Sequence, residues 1–146
     1  MEMDSSSIDR RTFVRTLPVV GAVGVAAVQT ACGGLPYVPA TPLGSQLRIN
    51  AGDMGPLGRA FVAVPGSDRP VFLHRTVEGA YVAVLAECTH RRCLPEPAGD
   101  RLVCPCHGSE YTLSGEVVEG PAERDLPRFE VREEDAVLVI ELGERS

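Results

Sequence analysis

The chain has 146 residues, a net charge of -6, and 14 basic side chains that are all arginine. Binding to a phosphate backbone draws on clustered cations, so this acidic balance excludes nucleic acid as the target. With 44% hydrophobic and 5% aromatic residues, no tryptophan, 15 glycines and 12 prolines, the composition predicts one small all-β domain of short strands and many turns, preceded by a tail.

Residues 1–32 carry Glu2, Asp4 and Asp9 against Arg10, Arg11 and Arg15, so the negative excess belongs to residues 33–146. A polar start, the paired Arg10 and Arg11 with Phe13 two places on, and the apolar run from Leu17 to Val28 have the order of a twin-arginine export signal. On that reading residues 1–32 are a signal or anchor, and the rest works in the periplasm or on the outer face of the cytoplasmic membrane. The stretch from Leu17 to Ala31 is fifteen residues with one proline and two glycines, short of the about twenty that a spanning helix needs. Cys32, the odd cysteine, stands where a lipoprotein signal is cut, but Gln29 takes the place of the usual leucine, so a lipidated and an unmodified Cys32 are both open.

Residues 33–45 contain Pro36, Pro39 and Pro42 and predict an extended linker, because proline denies the backbone a ladder donor. At about 3.1 Å per residue such a spacer reaches about 40 Å, enough to hold a domain off a bilayer. From residue 46 to 146 the pattern is that of strands. They are expected at 47–49, 60–64, 71–75, 81–85, 116–118, 128–132 and 136–142, with Glu133-Glu134-Asp135 as the last turn, and together they make a small antiparallel sandwich. His74, inside the apolar run 71–75, is read as structural.

The chemistry is concentrated in Cys88-Thr89-His90-Arg91-Arg92-Cys93 and Cys104-Pro105-Cys106-His107-Gly108-Ser109-Glu110-Tyr111, which hold four of the five cysteines and two of the three histidines. Cys88-x-His90 and, after thirteen intervening residues, Cys104-x2-His107 can each occupy one tight loop and share a metal centre. Two thiolates and two imidazoles suit one tetrahedral zinc, or a two-iron cluster with both Cys on one iron and both His on the other. Composition alone does not separate the two.

The whole pattern, C-T-H-x2-C and then C-P-C-H-G-S-x-Y, resembles the Rieske family over both boxes. The resemblance implies a sandwich with a cluster-binding subdomain of two loops and one [2Fe-2S] cluster, with Cys88 and Cys104 on one iron, His90 and His107 on the other, and a Cys93–Cys106 disulfide joining the loops. Ser109 and Tyr111 match positions whose hydroxyls bond a bridging sulfide and the sulfur of the first-box ligand cysteine, and Gly120-Pro121-Ala122 resembles the loop that covers the cluster. Glu123 stands where many cytochrome bc members have a second proline. Arg91 and Arg92 replace the Leu and Gly of cytochrome bc members; that leucine shields the cluster and meets the quinone, so the departure bears on quinol docking. A disulfide belongs to an oxidising compartment, in agreement with the export signal.

The function so implied is an exported one-electron carrier, not catalytic alone, between quinol or an oxidoreductase partner and a cytochrome-type acceptor. Imidazoles in place of two thiolates raise the potential by roughly several hundred millivolts over an all-Cys cluster, and a free imidazole nitrogen couples reduction to protonation. The partner is a cytochrome bc or related quinol-oxidising complex, a molybdenum oxidoreductase such as arsenite oxidase, or none in a stand-alone carrier, with membrane association through the N-terminus. A structural zinc-binding interaction domain is the alternative from another class, and Cys93 with Cys106 argue against it. A Rieske ferredoxin feeding an oxygenase is disfavoured by the export signal and the disulfide pair.

Overall fold

In the computed structural model, which describes residues 34–143, short β-branched and aromatic runs punctuated by Gly, Pro and Asp become twelve strands. The signal reading of residues 1–32, Cys32 included, lies outside the described residues. In chain order the strands are β1 (Tyr37–Val38), β2 (Thr41–Leu43), β3 (Gln46–Asn50), β4 (Arg59–Val62), β5 (Val71–Arg75), β6 (Tyr81–Leu85), β7 (Glu96–Ala98), β8 (Arg101–Val103), β9 (Glu110–Thr112), β10 (Val117–Glu119), β11 (Arg128–Glu134) and β12 (Val137–Glu141). One 3-10 turn, Ala51–Asp53, follows β3. Among the described residues no helix is long and apolar enough to cross a membrane.

Eight strands form one sheet in the order β1-β4-β5-β6-β11-β12-β3-β2, and four form a second in the order β10-β9-β8-β7. The large sheet folds over a core shared by Leu47 and Ile49 of β3, Val62 of β4, Leu73 of β5 and Leu138 and Ile140 of β12, so its two halves face each other as a sandwich. The opposite face of β4, β5 and β6 supplies Phe61, Phe72 and Val84 to a second core with Leu102 and Tyr111 of the small sheet and with Cys88 and Cys104. A strand covered on both faces loses its polar alternation. That is why Val71, Phe72, Leu73 and His74 are all buried in β5. Packing β5 between the two cores is what seats the small sheet, and with it the two cysteine loops.

The expected all-β sandwich with a two-loop subdomain is therefore the observed architecture. The linker is corrected. Tyr37–Val38 pairs parallel with β4 and Thr41–Leu43 antiparallel with β3, and the carbonyls of Pro36 and Val38 accept the amides of Phe61 and Ala63 at 2.9 Å each. Both are edge strands, where proline is tolerated because its missing donor would face outward. The last turn is corrected too: Glu133 and Glu134 continue β11, and Asp135-Ala136 make the turn, Asp135 with φ 57°. Asp tolerates that left-handed region better than most residues. Strands β7, β8 and β9 were not expected; each has three residues and lies among the cysteines. Between β9 and β10, Gly115 has φ +88°, and a Cβ there would stand 2.9 Å from Val84 Cγ1, so this turn against the large sheet admits only glycine.

Candidate metal centre

Each cysteine box is a loop closed by the same two bonds. In the first, the Cys88 amide donates to the Cys93 carbonyl and the Arg92 amide to the Cys88 carbonyl, both at 2.8 Å. In the second, the Cys104 amide donates to the Ser109 carbonyl at 2.8 Å and the Gly108 amide to the Cys104 carbonyl at 2.9 Å. This closure needs a left-handed residue four places after the leading cysteine, filled by Gly108 at φ 78° and by Arg92 at φ 61°. Glycine adopts it freely, whereas any side chain there costs about 1–2 kcal/mol.

The loops are joined by the Cys93–Cys106 disulfide, S–S 2.06 Å, as the family resemblance implied. Sulfurs of Cys93, Cys104 and Cys106 lie within 4.8 Å of one another, but two of the three are spent in the disulfide, so that trio is not a metal site. Among the described residues the free cysteines are Cys88 and Cys104, both buried in the same core cluster. Burial pushes the Cys88 thiol up, yet the Tyr111 hydroxyl, the His90 amide, Cys104 and the Arg91 amide together outweigh it and hold the thiol below its usual range. At Cys104 burial wins: the Cys106 and His107 amides pull down, Cys88 pushes up, and the thiol is raised.

The rings of His90 and His107 stand edge to face with centroids 4.8 Å apart. His107 is exposed, His90 half-buried, and His90 Nδ1 is buried with no hydrogen-bond partner. An unpartnered buried nitrogen costs free energy unless a ligand completes it, so the donor set fits a metal group. Cys88 and Cys104 lie in one buried cluster and the His90 and His107 rings meet edge to face, in keeping with the division that a cluster with two Cys on one iron and two His on the other requires.

Tyr111 is fully buried, with its hydroxyl 3.2 Å from Cys88 Sγ. The Thr89 amide donates to that hydroxyl at 3.1 Å, and Thr89 Oγ1 lies 3.2 Å from it. The Thr89 hydroxyl in turn donates to the Arg124 carbonyl at 2.6 Å, which ties the first loop to the segment after Ala122. Ser109, also fully buried, accepts the Ala122 amide on Oγ at 3.0 Å and keeps its own proton for another acceptor. Gly120, Pro121 and Ala122 are thereby docked on the second box. His74 instead belongs to β5, where it stacks on Phe72 at 5.9 Å. Arg91 is exposed and makes no ion pair among the described residues.

Sequence reasoning missed Thr89 and the four backbone amides of His90, Arg91, Cys106 and His107 aimed at the sulfurs. Thr89 stood inside the quoted motif but its partner is 35 residues away. The amides carry no residue-type signal at all.

A model of the Rieske [2Fe-2S] domain matches residues 48–130. The chain is 31% identical to the cytochrome b6-f complex iron-sulfur subunit of Chlorobaculum tepidum, over 92% of its own length and 76% of that protein's. Among solved structures, the cyanobacterial plasma membrane Rieske protein PetC3 from Synechocystis PCC 6803 matches with TM-score 0.55 and 30% identity, over 62% of this chain and 93% of that one. A chain in the complex of reduced oxygenase and oxidized ferredoxin in carbazole 1,9a-dioxygenase shares the fold alone, with 24% identity, TM-score 0.56, and coverage of 70% of this chain and 97% of that one. A match over more than half of the residues decides between the zinc and two-iron readings that the spacing left open: the chain belongs to the Rieske family, electron-transfer proteins that bind one [2Fe-2S] cluster.

Proposed function

We propose that the chain is the iron-sulfur subunit of a quinol-oxidising cytochrome complex of the b6-f or bc type, passing single electrons from quinol to a cytochrome-type acceptor. The observation that carries this is the extent of the likeness to a b6-f iron-sulfur subunit, 92% of the chain and not the two boxes alone. Cys88 and Cys104 would hold one iron, and His90 and His107 the other. When bound, the cluster supplies a one-electron couple whose potential is raised by the two neutral imidazoles.

The chain's own groups do the rest. The Cys93–Cys106 staple keeps the loops together, and Ala122, 4% exposed and bonded to Ser109, excludes water from one side. The Tyr111 hydroxyl and the loop amides stabilise negative charge on the ligand sulfurs, which favours the reduced state. Because the buried nitrogen of His90 is Nδ1, its Nε2 is the atom at which a proton can be held as an electron arrives. In this reading the domain works outside the cytoplasm, delivered by residues 1–32 as a twin-arginine signal and kept near the membrane by that segment or by a lipid on Cys32. The disulfide supports such an oxidising location.

A protein donor, such as a molybdenum oxidoreductase, is a second reading. It is favoured by Arg91, an exposed cation where cytochrome bc members carry the leucine that meets the quinone. Purified protein is expected to be brown, with about two irons and two labile sulfides per chain, and a midpoint potential that falls as pH rises from about 6 to about 10. A colourless protein holding one zinc would overturn the cluster assignment, and a pH-independent potential the proton coupling. Affinity purification from membranes then separates the partners: b-type haem supports the first reading, a molybdenum subunit the second.

A further inference from the structure

The left-handed residue of the first loop is an arginine where the second loop has glycine, and the structure supplies that arginine with a holder. Arg92 Nη2 donates to Glu87 Oε2 at 3.3 Å, and Arg92 Nε lies 3.0 Å from Glu87 Oε1. On its other side Glu87 Oε2 is 3.1 Å from Arg69 Nε, a contact whose N–H is not aimed along the line, so it is an attraction of charges and not a hydrogen bond. The Glu87 side chain is 18% exposed, against 74% for Arg92 and 27% for Arg69.

An isolated exposed ion pair does little, but a two-point contact to a mostly buried carboxylate shared by two guanidinium groups is the arrangement in which ion pairs matter. Its location gives it leverage. Glu87 directly precedes Cys88, and its own backbone is fixed by β6, with the Glu87 amide on the Leu85 carbonyl at 2.8 Å and the Ala86 amide on the Pro70 carbonyl at 3.0 Å. Arg92 directly precedes Cys93, the first-loop half of the disulfide.

We propose that Glu87 is a positioning residue for the cluster loops: by gripping the Arg92 side chain it holds residue 92 in the left-handed conformation that glycine would adopt unaided, and so sets the placement of Cys88 and of the Cys93 staple. This rests on the ligand assignment above. It replaces the backbone freedom of one glycine with a side-chain contact that the second loop does not need, since Gly108 reaches φ 78° without help.

The test is a cycle of Glu87→Gln, Arg92→Gly and the double variant in the intact, cluster-loaded protein. It is read by the rate of cluster loss on warming, the EPR spectrum of the reduced cluster and the midpoint potential. Glu87→Gln alone is expected to speed cluster loss by about threefold to tenfold and to broaden the EPR spectrum. In the Arg92→Gly background the same change is expected to alter neither, because glycine needs no holder, and Arg69 keeps Asp68 at 3.5 Å. A direct charge effect would shift the potential equally in both backgrounds, whereas the positioning effect vanishes in one. An equal penalty in both backgrounds, or none in the parent, would overturn the proposal. A parent with no reduced [2Fe-2S] EPR signal would instead refute the ligand assignment on which it rests.

Discussion

Tyr111 has one hydroxyl proton and two acceptors within 3.2 Å, Cys88 Sγ and Thr89 Oγ1. The Thr89 amide already occupies a lone pair of that oxygen, and the Thr89 proton is committed to the Arg124 carbonyl, so the phenolic proton decides how much charge leaves the Cys88 sulfur. A hydrogen bond that is about 1 kcal/mol stronger in the reduced state raises a one-electron potential by about 40 mV. Tyr111→Phe is therefore expected to lower the midpoint potential by about that amount, measured by redox titration of the purified protein. Thr89→Val removes the competing acceptor and is expected not to lower it. An unchanged potential in Tyr111→Phe would remove the tuning role. At this scale the four candidate donors and the two hydroxyls could be named from the sequence because the residue types themselves carry the chemistry. The competition at Tyr111 was not legible, since it depends on a carbonyl reached only through the fold.

At the scale of elements, the strands that read correctly are those whose burial matches a simple pattern, such as β5 and β6, whose limits agree with the sequence to the residue. The N-terminal stretch misread as a spacer has the composition of one: its prolines remove donors, and only pairing at the two sheet edges makes that harmless. β5 also carries a titratable group that the site does not use. Burial holds His74 below the usual imidazole range, Arg59 and Arg128 push it the same way, and a backbone bond at Arg75 only partly opposes them. With the folded value depressed, the unfolded chain binds more protons below about pH 6.5. Stability from a neutral His74 is thus fully present above about pH 6.5 and is lost as pH falls toward the folded value, at no more than about 1.4 kcal/mol per pH unit. His74→Phe keeps the stack on Phe72 and removes the proton site. Urea unfolding at about pH 7.5 and about pH 5 is expected to show a smaller acid loss in the variant than in the parent. Equal losses would mean that His74 does not feel its burial.

Over the whole molecule, the net charge and the charge of the first loop point in opposite directions. The chain carries -6, and residues 1–32 contribute none of it. Yet the exposed residue that follows His90 is Arg91, which has no ion pair among the described residues, while Arg92 is paired with Glu87. Of the two imidazoles His107 is the exposed one, and an acceptor that approaches it is expected to meet the exposed Arg91 of the first loop. Charge at a docking face acts on the encounter rate and is screened beyond about 8 Å at physiological salt. With a basic cytochrome c as acceptor, Arg91→Glu is expected to raise the bimolecular electron-transfer rate severalfold, about threefold or more, at low ionic strength. The gain is expected to disappear near 1 M salt, where the screening length falls to about 3 Å. Stopped-flow oxidation of the reduced protein across a salt series measures both. A gain that persists at high salt would assign the effect to the cluster potential, and no gain at low salt would move the docking face away from Arg91.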